Sequence, residues 1–341
     1  SFVSGAFLCL AIGCSPAETT DTNPVVVPDD AKPFLESVAT NVIAPTYSDF
    51  ADEAGKLNEA FTALAATPTD TDVLSAARDA WKNAMVSWQR IEVLQIGPAA
   101  SALKASGGQN IRDEIYSWPT VKPCRIDQEI VENAFDDTEY FTKNLINSYG
   151  LDGLEYILFN ETYDNQCSTA NSLNANGSWA ALEESEIANR RSLFGKVLAG
   201  QILKHAQELK AFWMPPDGEY YVHFTEPGTD SSPYENYGQV LNEFYAALFY
   251  VDLVVKDDKL GIPAGLMAPC DDGTPCLSRL ESQWANHSKE AIIANLESFQ
   301  RAFNAINAEG NDGTGFDDLL AQKGEQALAE TIKDGVAGAI E

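Results

Sequence analysis

Histidine is scarce in this sequence, and basic side chains are few beside acidic ones. Three histidines stand in 341 residues, and 22 lysines and arginines face 51 aspartates and glutamates, for a formal net charge of -29. A surface this acidic repels nucleic-acid phosphates and anionic membranes over a Debye length, so no nucleic-acid partner is expected. No H-E-x-x-H, no G-x-S-x-G and no strand followed by a glycine loop occurs, which leaves the common hydrolase and nucleotide chemistries without a carrier. Period-two alternation of apolar residues is scarce as well, and with it the case for a sheet. The histidines all occur as H-x-x-E, at His205, His223 and His287. In so acidic a chain that spacing arises readily by accident, and it reads as helix-surface pairing.

What remains is helical. Apolar residues recur at helical spacing in long segments broken by Gly, Pro and Asn clusters, predicting helices over 33–66, 71–96, 127–148, 152–159, 178–213, 233–257, 277–308 and 317–339. The fold class expected is all-α, with two helical bundles dividing the body at 33–177 and 178–341, on either side of the loop ahead of Trp179. The acidic, glycine-rich stretch from Glu309 lacks the order of an EF-hand loop and reads as a turn between helices.

The N-terminus has the layout of an export signal. An apolar run from Ala6 to Ile12, too short to span a bilayer, leads to Gly13 and Cys14 and then to a polar tail. Residues 1–14 are expected to be the remnant of a signal peptide ending in a lipoprotein cleavage site, with lipid on Cys14. Residues 15–32, rich in Pro, Thr and Asp, read as a flexible tether. The expected location is periplasmic, anchored to a bacterial membrane, the outer one favoured, through the lipid alone. Four further cysteines suit that oxidising compartment. Cys270 and Cys276 close a short loop of turn residues, which leaves Cys124 and Cys167 to pair with each other.

Two places carry candidate chemistry. Trp81, Met85, Trp88 and Glu92 fall on one helical face, so Glu92 continues an apolar stripe, with Gln89 placed to orient it. A buried carboxylate there must be paired, protonated or metal-bound. The second place is Gly150, Asp152 and Glu155, where two readings stay open. Asp152 and Glu155 have the spacing of a capping box. They also share a face on which two carboxylates, with Glu92 as a third, hold a hard cation. In the second case three clustered carboxylates repel, and neutralising Glu92 or Asp152 raises the stability of the cation-free protein.

The segment "GLDGLEYILF" from Gly150 resembles the G-x-H-x-x-E segment of the imelysin-like proteins, with Asp152 where that family has His. Further similar stretches are "AWKNAMVSWQRIEVLQIGP", "IRDEIYSWPTVKPCRID", "RRSLFGKVLAGQILKHAQELKAFW", "VVKDDKLGIPAGL" and "LESQWANHSKEAIIANLESFQ", in an order that spans residues 35–307. The resemblance implies a pair of four-helix bundles with a site where they meet, an exported bacterial protein, and a role in iron acquisition. Its partners would be a metal or a small iron-bearing ligand, and membrane iron-uptake proteins. Members were also named metallopeptidases for the His and Glu of the motif, but Asp152 removes that imidazole, so the expectation leans away from an enzyme. The expected metal site is Asp152, Glu155 and Glu92, for iron first and then calcium, manganese or zinc. The expected ligand-binding residues are Trp88, Gln89, Glu92 and Gly150. The alternatives are a metallopeptidase and a helical interaction scaffold without a metal.

Overall fold

The computed structural model describes residues 31–341, and among them there is no β-strand. Cys14 and the greater part of the expected tether lie outside the described residues. The first helical run begins at Ala31, widens to a π-helix over Ala39–Ile43 and resumes as Ala44–Ala66, with Pro45 in its opening turn. Proline brings no amide to the ladder, and a π turn is where a helix accommodates such a break. Asp70 then caps the helix Thr71–Glu92, its carboxylate accepting from the amides of Asp72 at 3.0 Å and Val73 at 3.2 Å. The Trp81, Met85, Trp88 and Glu92 face is buried, as the spacing predicts.

Two predicted helices are shorter than the pattern suggested. The helix over 127–148 breaks after Pro123–Glu132, because Asn133 turns left-handed at φ 50°, and only single turns at Tyr140–Lys143 and Ile146–Ser148 follow. The helix over 277–308 starts at Ser288. Ahead of it, Ser282 and Asn286 sit at φ 48° and 51°, outside helical space.

The helices Ala44–Ala66, Thr71–Glu92, Leu151–Phe159 and Glu184–Trp213 form one bundle. Within it Ala44–Ala66 and Glu184–Trp213 lie along each other most extensively, and Gly195 lets them approach: a Cβ there would stand 2.2 Å from the Phe61 ring. The second bundle gathers Ala31–Val38, Tyr237–Leu248, the π-helical Val251–Gly261, Ser288–Asn304 and the C-terminal pair Phe316–Gln322 and Gln326–Ile340. Thr71–Glu92 belongs to both, since Ser288–Asn304 packs on its other side. The expected border at 177/178 therefore does not separate two cores, because Glu184–Trp213 sits in the first bundle. A single apolar cluster runs from Phe34 to Leu319. Both expected disulfides, Cys124–Cys167 and Cys270–Cys276, are formed. No helix among the described residues is long and apolar enough to cross a membrane.

Candidate functional site

The helix Leu151–Phe159 is apolar nearly all round and lies buried between Thr71–Glu92 and Glu184–Trp213. Its ends are fixed by polar contacts from those neighbours. At the start, Trp81 Nε1 donates to the Leu151 carbonyl at 2.7 Å. At the end, Arg78 Nε donates to the Leu158 carbonyl at 2.8 Å, while Arg191 Nη1 donates to those of Asn160 at 3.3 Å and Thr162 at 2.9 Å. Two guanidinium groups thus meet the negative end of the helix dipole. Gly150 is the N-cap at φ 92°, and a Cβ on it would stand 2.9 Å from both Asp152 Oδ1 and the Ile115 carbonyl. Only glycine meets both demands.

Asp152 and Glu155 are both buried, 3% and 5% exposed, and both line one cleft of about 470 Å³. Ser117 Oγ donates to Asp152 Oδ2 at 3.3 Å, and Asp152 Oδ1 has no partner. Burial pushes the Asp152 carboxyl up to about 7 against the pull of nearby amides and Arg112. Glu155 Oε1 accepts from the amides of Trp284 at 2.8 Å and Ala285 at 2.9 Å. Burial pushes this carboxyl up to about 8, with Asp152 and Glu281 adding to the rise and the two amides opposing it. The capping box is not formed. No side chain caps Gly150, and Glu155 reaches across to residues 284–285 instead of back to its own helix. The amides of residues 284–285 serve this carboxylate, which is why the helix Ser288–Asn304 begins only beyond them.

The third acid beside this pair is Glu281, not Glu92. Glu281 Oε1 accepts from Tyr116 Oη at 2.7 Å and Gln89 Nε2 at 3.0 Å and pairs with Lys259 Nζ at 3.0 Å, while its Oε2 has no partner. Lys259 is fully buried and also donates to Gln89 Oε1 at 2.6 Å and Asn295 Oδ1 at 2.8 Å. Gln89 thus orients Glu281 and Lys259 rather than Glu92. Burial raises the Tyr116 phenol well above its ordinary value, with Glu281, Asp152 and Glu155 contributing.

Glu92 is buried in a different setting. Arg112 grips both of its oxygens, each at 3.1 Å, and Tyr250 Oη donates to Oε2 at 2.7 Å. It lines a neighbouring cavity of about 540 Å³, which shares Trp118, Pro119 and Asp258 with the first. The expected Asp152, Glu155 and Glu92 cluster is therefore not assembled, because an arginine already satisfies Glu92. Among the described residues no three His, Cys, Asp or Glu side chains are grouped to hold a metal. Trp88 packs against Phe50 in the core, with ring centroids 5.0 Å apart, and lines neither cavity. None of the three histidines lines the first cleft.

Glu281 and Lys259 were missed by sequence reasoning. Lys259 had a signal: it continues the Val251 and Val255 spacing, as Glu92 continues the tryptophan stripe. Glu281 had none, since it comes from an irregular segment.

Fold and cleft together define an all-helical protein of two bundles, with a buried carboxylate pair opening on a cavity walled by the segments 118–126, 258–262 and 278–284. The imelysin family model (peptidase M75) matches residues 43–341, and the chain belongs to that family. Its fold is similar to that of an imelysin-like protein from Psychrobacter arcticum 273-4, with a TM-score of 0.65 at 17% identity over 92% of this chain and 84% of that one. It is equally similar to a "putative iron-regulated protein A precursor" from Parabacteroides distasonis ATCC 8503, with a TM-score of 0.66 at 17% identity over 91% and 85% of the two chains. No curated protein matches.

Proposed function

We propose that this protein is an exported, lipid-anchored binding protein that takes a hard metal cation, iron first, as cargo in the cleft above Asp152 and Glu155. It would present that cargo to membrane iron-uptake proteins. One observation carries the reading: two carboxyls from one helical face open on the same cavity, and Asp152 Oδ1 is buried there without a partner. An orphaned buried oxygen costs about 1–3 kcal/mol, and a cation supplies what it lacks. The donor set is oxygen only, which suits iron, manganese or calcium better than zinc. The name of the Parabacteroides relative supports an iron-related role. The scaffold alternative needed Asp152 and Glu155 as a cap, and they make none.

The test is calorimetric titration of chelator-stripped protein with manganous and, anaerobically, ferrous ion. Asp152→Asn and Glu155→Gln should each weaken binding by about tenfold or more while the melting transition stays cooperative. Binding unchanged in both variants would place the cation elsewhere.

A further inference from the structure

We infer that the cleft takes its cation inside a small anionic organic chelate rather than as a bare ion. This rests on the cargo reading above and adds the chemistry of what surrounds the metal.

The protein offers too few donors for a naked ion. A hard cation takes about six to eight oxygens. Asp152 Oδ2 is engaged by Ser117, and Glu155 Oε1 by the amides of residues 284–285. Among the described residues this leaves Asp152 Oδ1 and Glu155 Oε2 without hydrogen bonds. The nearest further acid, Glu281, is held through Oε1 by Tyr116, Gln89 and Lys259, and its unpartnered Oε2 is buried off the cleft lining. The remaining positions must be filled by whatever comes with the metal.

Size and walls agree with an organic shell. At about 470 Å³ the cleft falls within the ~300–1,000 Å³ of small-molecule sites. Trp118, Tyr156 and Trp284 supply aromatic wall.

The charge at the mouth is the independent observation. Lys122 and Arg279 are exposed, both line the cleft, and among the described residues neither has an ion-pair partner. Asp258 is the acid on the same lining outside the buried pair. On a chain of net charge -29, two unpaired cations at one opening disfavour entry of a bare cation and meet the outer carboxylates or phenolates of a chelate. The buried carboxyls would face the metal and the mouth would face its shell.

The experiment titrates the full chain with the ferric complexes of citrate and of 2,3-dihydroxybenzoate, with manganous and ferrous ion alone, and with each chelator free of metal. At least one ferric complex should bind about tenfold tighter than either bare ion. Lys122→Ala and Arg279→Ala should each weaken that complex by about threefold, more at low salt, and leave bare-ion binding as strong or stronger. Both substitutions are on the surface, so folding is preserved. Bare ions binding as well as or better than both complexes would overturn the chelate and leave the carboxylate site standing. Metal-free chelator binding as tightly as its complex, or indifference to both mouth variants, would overturn it too. If neither ion nor complex binds the folded protein, the cargo reading falls with it.

Discussion

Asp152→Asn is expected to stabilise the cation-free protein, and to do so increasingly as pH rises. The Asp152 carboxyl has an ordinary value of 3.8 and is pushed up to about 7 by burial. Between those values the unfolded chain has lost the proton and the folded one still holds it, so raising pH favours unfolding. The stability is fully present below the lower value and gone above the upper one. Integrated over that window, the loss is about 1.5 kcal/mol by pH 5 and about 4 kcal/mol by pH 8. Asparagine keeps the shape and can still accept from Ser117, but has no proton to lose. Its advantage over wild type should therefore grow by about 2.5 kcal/mol between pH 5 and pH 8. Urea unfolding followed by tryptophan fluorescence, with EDTA present at both pH values, measures this directly. A difference that does not change with pH, or a variant less stable than wild type at pH 8, would refute the claim that burial without a counter-charge dominates at this carboxyl.

Glu92→Gln should do the opposite of what clustered carboxylates imply, because Glu92 is paired: removing its charge leaves Arg112 buried against a neutral amide and costs about 3 kcal/mol in the same urea assay. Gly150→Ala must hold φ 92° with its Cβ 2.9 Å from the Ile115 carbonyl, so a loss of about 2–3 kcal/mol is expected in the melting transition, with cation binding weakened as Asp152 is displaced.

The parts legible in the sequence were those written as periodicity or local chemistry. The tryptophan stripe ending in Glu92 and the Cys270–Cys276 loop follow from residues close together in the chain, and Cys124–Cys167 follows by elimination. The motif helix was legible too, but its partners were not. Glu155 is held by backbone amides of residues 284–285, and an amide leaves no trace in side-chain identity. The stripe alone left Glu92 either buried or at its rim, and the structure buries it. That Arg112 rather than a metal satisfies it depends on a contact between helices that spacing along one helix does not contain. The helix over 277–308 failed for the same reason: its first residues have helical composition, yet Glu281 and the amides of residues 284–285 are drawn into long-range bonds.

The distances along the chain spanned by these bonds set the order in which the cleft can be built. Its amide clamp on Glu155 comes from 129 and 130 residues downstream, and Asn295 meets Gln89 across 206. All four helices of the first bundle are complete by Trp213. A chain folding from its N-terminus can therefore pack that bundle while the wall and the Lys259 clamp are still unmade, with loop closure opposing such distant contacts until the end. Until residues 277–295 arrive, the cleft lacks its wall from Ser278 to Trp284 and Glu155 lacks the two amides that hold it. The clamp is acquired in the last step of folding, so a chain cut after the first bundle would carry the motif without the amides and wall that complete its cleft.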